Sequence, residues 1–485
     1  FSVYNKITGT GREYSIGASN IYGHNPKDLK YRFQRVAPVH VSPHDPDVVY
    51  MGSQFVHKTR NDGVIWETIS PDLTAFEADK QVISGSPITR DITGEEYYST
   101  IYSIRESKIK KDLIWTGSND GVVSITQDGG QTWSNVTPKK MPKGGRVESI
   151  EPSQFDPAKA YISVDRHLLG DATPYFYKTA DYGKSWELIS TTTNGIPSDY
   201  TAKVLREDPE TAGLLYAGTE YGMFVSLDDG KQWKSFQQNL PVTPITDIII
   251  KRGDLVLSTM GRGFWVLDNI TSLRNTDIAT LSDTPVLFKP DNTIRYRTPR
   301  RAKGFPNYPT TGVLIDYYLP KEFKSEVQLE ILNAYKQSVA SILSDSTKIK
   351  SSKEEVENMG LSMTFSYFDA KLETKKGINR FQWDMRQKGA WSDKESRRYK
   401  NGPVVPPGNY IAKLTVGEKT LEQPFEILVD PRLAEEGIDN TIILDHLAFE
   451  NKVIDLLTEA RKFQSELEAQ IKKTKGDEKA SLETV

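Results

Sequence analysis

Four copies of one short pattern constrain this 485-residue chain more than any other feature of it. Each copy has a hydroxyl residue, an acidic or amide residue two places on, glycine two places further, and tryptophan three beyond. The copies are Thr59, Asn61 with Asp62, Gly63 and Trp66; Thr126, Asp128, Gly130 and Trp133; Thr179, Asp181, Gly183 and Trp186; and Ser226, Asp228, Gly230 and Trp233. Upstream of each lies an apolar run with an aromatic and then a small residue: Tyr50 and Gly52, Trp115 and Gly117, Tyr161 and Ser163, Tyr216 and Gly218. Three of these runs follow an Asp-Pro turn, at Asp45-Pro46, Asp156-Pro157 and Asp208-Pro209, where proline sets φ and does not serve a central strand. The unit is strand, turn, strand, boxed turn, strand. A unit repeating at roughly 40 to 50 residues predicts a propeller or a solenoid. A fifth copy from Asp254 to Asp268 keeps the hairpin with Trp265 and loses the box, as a terminal blade does.

The box needs no ligand to explain it. Its carboxylate accepts from backbone N–H groups of its own turn, its glycine takes positive φ, and its indole fills space between sheets. A phosphate cradle would need a helix after the glycines, and a strand follows here. A calcium site would need more convergent oxygens than one such turn offers. Asp62, Trp66, Asp128, Trp133, Asp181, Trp186, Asp228 and Trp233 are therefore expected to be structural.

Composition narrows the rest. Lys and Arg number 62 against 65 Asp and Glu, so no global field draws in nucleic acid or an anionic membrane. With no cysteine there is no thiol catalysis, thiolate zinc site or disulfide. No apolar run is long enough for a membrane span, and Phe1 to Gly11 has none of the regions of a signal peptide. Phe1, Val3 and Tyr4 lead into a hairpin turn at Thr8 to Gly11, so the chain is expected to open inside a β-unit.

The boxes resemble the Asp-box (BNR) repeats of sialidases, xyloglucanase-type glycosidases and the sortilin propeller. Further strings, among them Lys30 to Gln34, Ser42 to Pro46, Ile69 to Thr74, Glu96 to Tyr98, Arg206 to Pro209 and Gly261 to Trp265, resemble large bacterial proteins described as sortilin-like or BNR-repeat glycosyl hydrolases. The resemblance implies a preceding N-terminal stretch of propeller, so that residues 1–275 would supply about five blades of a larger assembly with that missing portion as a partner.

From 285 to 430 the repeat gives way to alternating strands, including Val327, Leu329, Ile331 and Tyr410, Ala412, Leu414, Val416, which resemble an immunoglobulin-like sandwich. Residues 344–358 are charge-rich and read as a solvated insertion. Across 433–485, Val453, Leu456, Leu457, Ala460, Phe463, Leu467 and Ile471 recur at helical spacing on a charged background, predicting one long amphipathic helix. The expected fold is all-β: propeller blades, sandwich, then helix.

Propeller geometry puts the boxes on one rim and the turns between second and third strands on the other. On that second rim Asp120 and Glu220 are candidate glycosidase acid and base, with Glu96 a third carboxylate beside Tyr97. Arg32, Arg35, Tyr97, Tyr221 and Arg262 are candidate ligand contacts. The sialidase Arg-Ile-Pro signature is absent, as is a Gly-x-Ser-x-Gly elbow, and the six histidines show no metal spacing. The expectation is an extracytoplasmic propeller without metal or cofactor that binds a peptide or glycan at its channel rim. The alternatives are a glycoside hydrolase, and a structural subunit of a cell-surface or outer-membrane complex.

Overall fold

The computed structural model describes residues 2–17, 22–83, 97–274, 283–297, 311–323, 327–344, 372–392 and 402–473. The chain divides into two compact units, Phe1–Ile270 and Thr271–Val485.

The first unit opens with a hairpin of β1 (Ser2–Asn5) and β2 (Thr10–Glu13). Five antiparallel sheets follow, each a meander in chain order. The first holds β3 (Val39–Val41), β4 (Val49–Gly52), β5 (Val56–Thr59) and β6 (Glu67–Thr68). The second holds β7 (Ile101–Glu106), β8 (Ile114–Ser118), β9 (Val123–Thr126) and β10 (Ser134–Asn135). The third holds β11 (Arg146–Pro152), β12 (Ala160–Arg166), β13 (Asp171–Thr179) and β14 (Glu187–Leu188). The fourth holds β15 (Ala202–Glu207), β16 (Leu215–Thr219), β17 (Gly222–Ser226) and β18 (Lys234–Ser235). The fifth has three strands, β19 (Ile245–Lys251), β20 (Asp254–Thr259) and β21 (Phe264–Leu267). Meandering sheets of this size stacked face to face in sequence order are propeller blades.

The box turns lock one blade to the one before it. Thr126 Oγ1 donates to Asp128 Oδ1, and that carboxylate accepts from Thr132 N at 2.9 Å; Thr179 with Asp181 and Ser226 with Asp228 repeat this geometry. The indole Nε1 of Trp133 donates to Ile69 O, that of Trp186 to Val136 O and that of Trp233 to Ile189 O, at 2.9, 2.7 and 2.8 Å. Each acceptor directly follows the outer strand of the preceding blade. The three indoles thus serve three different interfaces and do not converge on one cavity. Gly130 sits at φ +101°, where a Cβ would lie 2.6 Å from Ile69 O. The small residue of each second strand has a related role: a Cβ on Gly117 would fall 2.4 Å from Val147 of the next blade, and Ser163, the exception, bonds Ser149 and Lys203 O of its neighbours. Apolar clusters fill the interfaces, with Tyr50, Ile101 and Ile114 between the first two blades, Trp115, Val147 and Ile162 between the next two, and Phe176, Leu205 and Leu215 after those.

In the second unit α1 (Thr271–Arg274) precedes β22 (Val286–Leu287), β23 (Thr293–Arg295), β24 (Val313–Leu319), β25 (Val327–Asn333), β26 (Ser338–Leu343), β27 (Gly377–Trp383), β28 (Gly408–Val416) and β29 (Lys419–Val429). They form a three-stranded sheet, β22-β24-β27, and a five-stranded sheet, β23-β29-β28-β25-β26, in which β23 runs parallel to β29. Ile315, Tyr317, Leu329, Ala412, Leu414, Trp383 and Phe425 make its core. The alternation of Val327, Leu329 and Ile331 puts all three in that core. Asp430 caps α2 (Pro431–Glu435) through Arg432 N, and α3 (Asn440–Lys473) follows. The helix is held to its own unit by Gln387 on Asn451 and by Trp391 N on Thr458 Oγ1. No helix among the described residues is long and apolar enough to cross a membrane. The charge-rich insertion falls outside the described residues from 345 onward.

Replacing Gly130 with Ala should cost at least about 2 kcal/mol in chemical denaturation, since both φ and the neighbouring carbonyl oppose a Cβ. Trp186→Phe keeps most of the ring's area but orphans Val136 O, and should cost about 1 to 2 kcal/mol. Hydrogen bonds from the Thr132 side chain and backbone, then from Thr126, hold the Asp128 carboxyl down at about 2. Its stabilisation is therefore present above the ordinary carboxylate range and lost as pH falls from about 4 to about 2. Asp128→Asn should flatten that part of an acid-unfolding curve.

Candidate functional site

The first strands of all five blades surround one cavity of about 550 Å³. Its wall includes Val39 of β3, Tyr102 and Arg105 of β7, Arg146 and Glu148 of β11, Lys203 and Arg206 of β15, and Thr246 and Asp247 of β19. Strand register explains how charges gather there. His40 lies opposite Tyr50, Arg105 opposite Trp115, Glu151 opposite Tyr161 and Arg206 opposite Tyr216, so four blades present these side chains at one level.

Two charge networks include residues of the wall. In one, Lys203 Nζ bridges Asp165 Oδ2 at 2.8 Å and Glu220 Oε2 at 2.9 Å. Arg146 holds Glu148 at 2.6 Å, reaches Asp165 at 3.8 Å and lies over the Tyr102 ring at 4.6 Å. Asp165 also accepts from His167 N and Nδ1. In the other, Arg206 pairs with Asp247 at 2.6 Å, lies 3.8 Å from Glu151, and donates to the carbonyls of Ile248 and Leu205. Arg105 shares this second level, and among the described residues its side chain makes neither hydrogen bond nor ion pair.

Burial pushes the Glu148 carboxyl up to about 7, with Arg146 pulling the other way. Burial would also raise Asp165, but hydrogen bonds from Lys203 and His167 outweigh it and hold that carboxyl below its usual range. Burial, then the charges of Arg105 and Lys108, bring His40 down to about 4, so it is neutral at pH 7. Burial and the neighbouring Arg206 charge likewise lower Arg105. The site thus combines a carboxyl raised toward neutrality while paired with Arg146, a neighbouring carboxylate held low and a guanidinium without an ion-pair partner. Among the described residues no group of three or more His, Asp or Glu is placed to hold a metal.

Of the residues expected from sequence at the rim, Glu220 lines the cavity. Asp120 does not: it is 4% exposed and its carboxylate accepts from Ala75 N and Ser118 Oγ. Glu96 lies outside the described residues. Tyr97 is 0% exposed, and its backbone carbonyl accepts from Asn119. Arg32 is buried beneath the rim, bonded to Ser99 O and Asp72. Arg35 is on the surface, away from the cavity wall. Tyr221 is 44% exposed against Tyr200, and Arg262 is exposed in the β20–β21 turn with its carbonyl accepting from Trp265. Glu220 apart, none of these expected residues joins the cavity wall. Rim turns here are occupied in securing connections between blades, as Gln54 also is through Arg32 N and Lys30 O.

Sequence reasoning passed over Arg105, Arg146, Glu148, Asp165, Lys203, Arg206 and Asp247, all on strands. For Arg105 and Arg206 the signal was a charged residue in the first strand of a repeat, across the hairpin from the aromatic at 115 or 216.

No family model matches the chain, and no curated protein matches it. Among solved structures it is similar to a GH74 xyloglucanase from Xanthomonas campestris, at 16% identity and TM-score 0.36 over 51% of this chain and 37% of that one. PorZ, a surface component of the type-IX secretion system of Porphyromonas gingivalis, matches at 12% and 0.34 over 81% of this chain and 51% of that one. YCF48 bound to D1 peptide matches at 17% and 0.27 over 45% and 63%. The chain spans less than two thirds of the length of each of these proteins. Its own sheets and their order define the class: an all-β protein built on propeller blades, with a second β unit and a C-terminal helix.

Because Glu148 is raised, its contribution to stability is full below the ordinary carboxylate range and lost as pH rises from about 4.5 through about 7. Thermal melts of Glu148→Gln across that window should show a smaller pH slope than the native chain.

Proposed function

We propose that the propeller unit is an extracytoplasmic binding module that takes a peptide or glycan into its central cavity. We read its boxes as Asp-box repeats of the sortilin-like kind, and the second unit as an immunoglobulin-like sandwich used in docking or assembly. The observation that carries the reading is the cavity itself, which the first strands of five blades line and to which four of them present charged side chains. Burying so many ionised groups costs stability that an apolar lining would not, a trade common where a protein binds.

Peptide and oligosaccharide arrays probed with the whole chain test it. Leu168 and Met260 line the cavity and are 80% and 68% exposed, so tryptophan at either narrows the space without disturbing a core. Either change should weaken capture at least about tenfold, which is about 1.4 kcal/mol. Undiminished binding by both variants would move the ligand elsewhere.

A second reading, glycoside hydrolysis, is favoured by one feature: Glu148 raised to about 7 near an Asp165 held low, the division between acid and ionised partner that such chemistry uses. Turnover of sialosides or β-glucan oligosaccharides, lost in Glu148→Gln, would establish it. Capture without turnover leaves the binding module.

A further inference from the structure

We propose that Arg105 is the core of a carboxylate-binding subsite in the cavity, and that its ligand is an extended peptide carrying an acidic group. The inference rests on the cavity reading above and deepens it.

Every other cationic side chain in the wall already has a carboxylate: Arg146 has Glu148, Lys203 has Asp165 and Glu220, and Arg206 has Asp247. Arg105 has none among the described residues, although it is half-buried. The groups facing it make matters worse. Arg206 repels it, the nearby carboxylates Glu151 and Asp247 are engaged with Arg206, and His40 on the other side is uncharged at neutral pH. A guanidinium partly withdrawn from water with no ion-pair partner of its own is costly to the fold, and its planar fork is shaped for a carboxylate. A bound anion removes the cost and gains a two-pronged hydrogen bond.

The rest of the wall favours a peptide over a sugar. Sugar rings bind well on open aromatic faces, but among the described residues Tyr102 is the single Phe, Tyr or Trp in the lining and Arg146 covers its ring. Exposed apolar Val39, Leu168 and Met260 instead lie among ion pairs, offering spots for side chains between hydrogen-bonding positions for a backbone.

Three capped probes test this on the whole chain by calorimetry: acetylated and amidated Gly-Gly-Glu-Gly-Gly, its Gln counterpart, and acetylated pentaglycine with a free C-terminal carboxylate. At least one charged peptide should bind about tenfold or more above the neutral one. The comparison between the two charged peptides tells a side-chain source from a terminal one. Arg105→Gln should abolish the preference and Arg105→Lys should keep part of it. Without ligand, Arg105→Gln should melt at or above the temperature of the native chain, because it removes an unpaired, half-buried charge, whereas a residue with a structural role would lower it.

Equal or absent binding of charged and neutral peptides, a preference surviving Arg105→Gln, or a lower melting temperature for that variant overturns the subsite. Oligogalacturonate bound through Arg105 in place of peptide overturns the ligand class. If Met260→Trp blocks array ligands while Arg105→Gln changes nothing, the subsite falls and the cavity reading stands. If neither variant matters, both fall.

Discussion

The indole N–H of three box tryptophans, Trp133, Trp186 and Trp233, each donating to the carbonyl just after the outer strand of the blade before it, is the interaction on which the first unit depends. A four-stranded sheet with two-residue outer strands has little stability alone. It becomes stable when both faces are covered, and the indole both covers a face and fixes how far one blade sits from the next. The aspartate contributes at one remove, by closing the turn that aims the ring. The box glycine must be glycine because the preceding blade occupies the space where a side chain would stand.

That spacing produces the cavity. Once wedges hold the outer ends apart, the first strands lean toward a common centre, and residues separated by some fifty positions in the chain arrive at one level. Charges brought together this way must find partners or remain uncompensated. Most do so across blades, as Arg206 does with Asp247 and Lys203 with Asp165. Arg105 does not, and the imbalance is local to the cavity wall, while the chain as a whole is nearly neutral.

The blade unit was legible because its signals are local. A Thr-x-Asp-x-Gly turn closes on itself, an Asp-Pro turn sets its own dihedrals, and an aromatic-x-Gly strand ending reflects one close approach. The alternation of Val327, Leu329 and Ile331 was legible for the same reason. The cavity was less so. Asp120 and Glu220 look alike in sequence, each just beyond a second strand, yet Asp120 closes a loop against Ala75 while Glu220 lies on the cavity wall. Which one is consumed depends on how the connection between the first two blades folds back, and no short motif encodes that. Tyr97 and Arg32 misled similarly, since polar groups near a rim are as often buried supports as ligand contacts.

By itself, then, the chain's order of residues determined the repeat, the strand alternation and the turn chemistry, because each is settled by interactions among neighbours a few positions apart. The tertiary structure alone decided which charges share the cavity, which are neutralised there and which is left over. Those outcomes depend on distances between side chains on different blades, set by packing thickness and strand register summed over the whole stack.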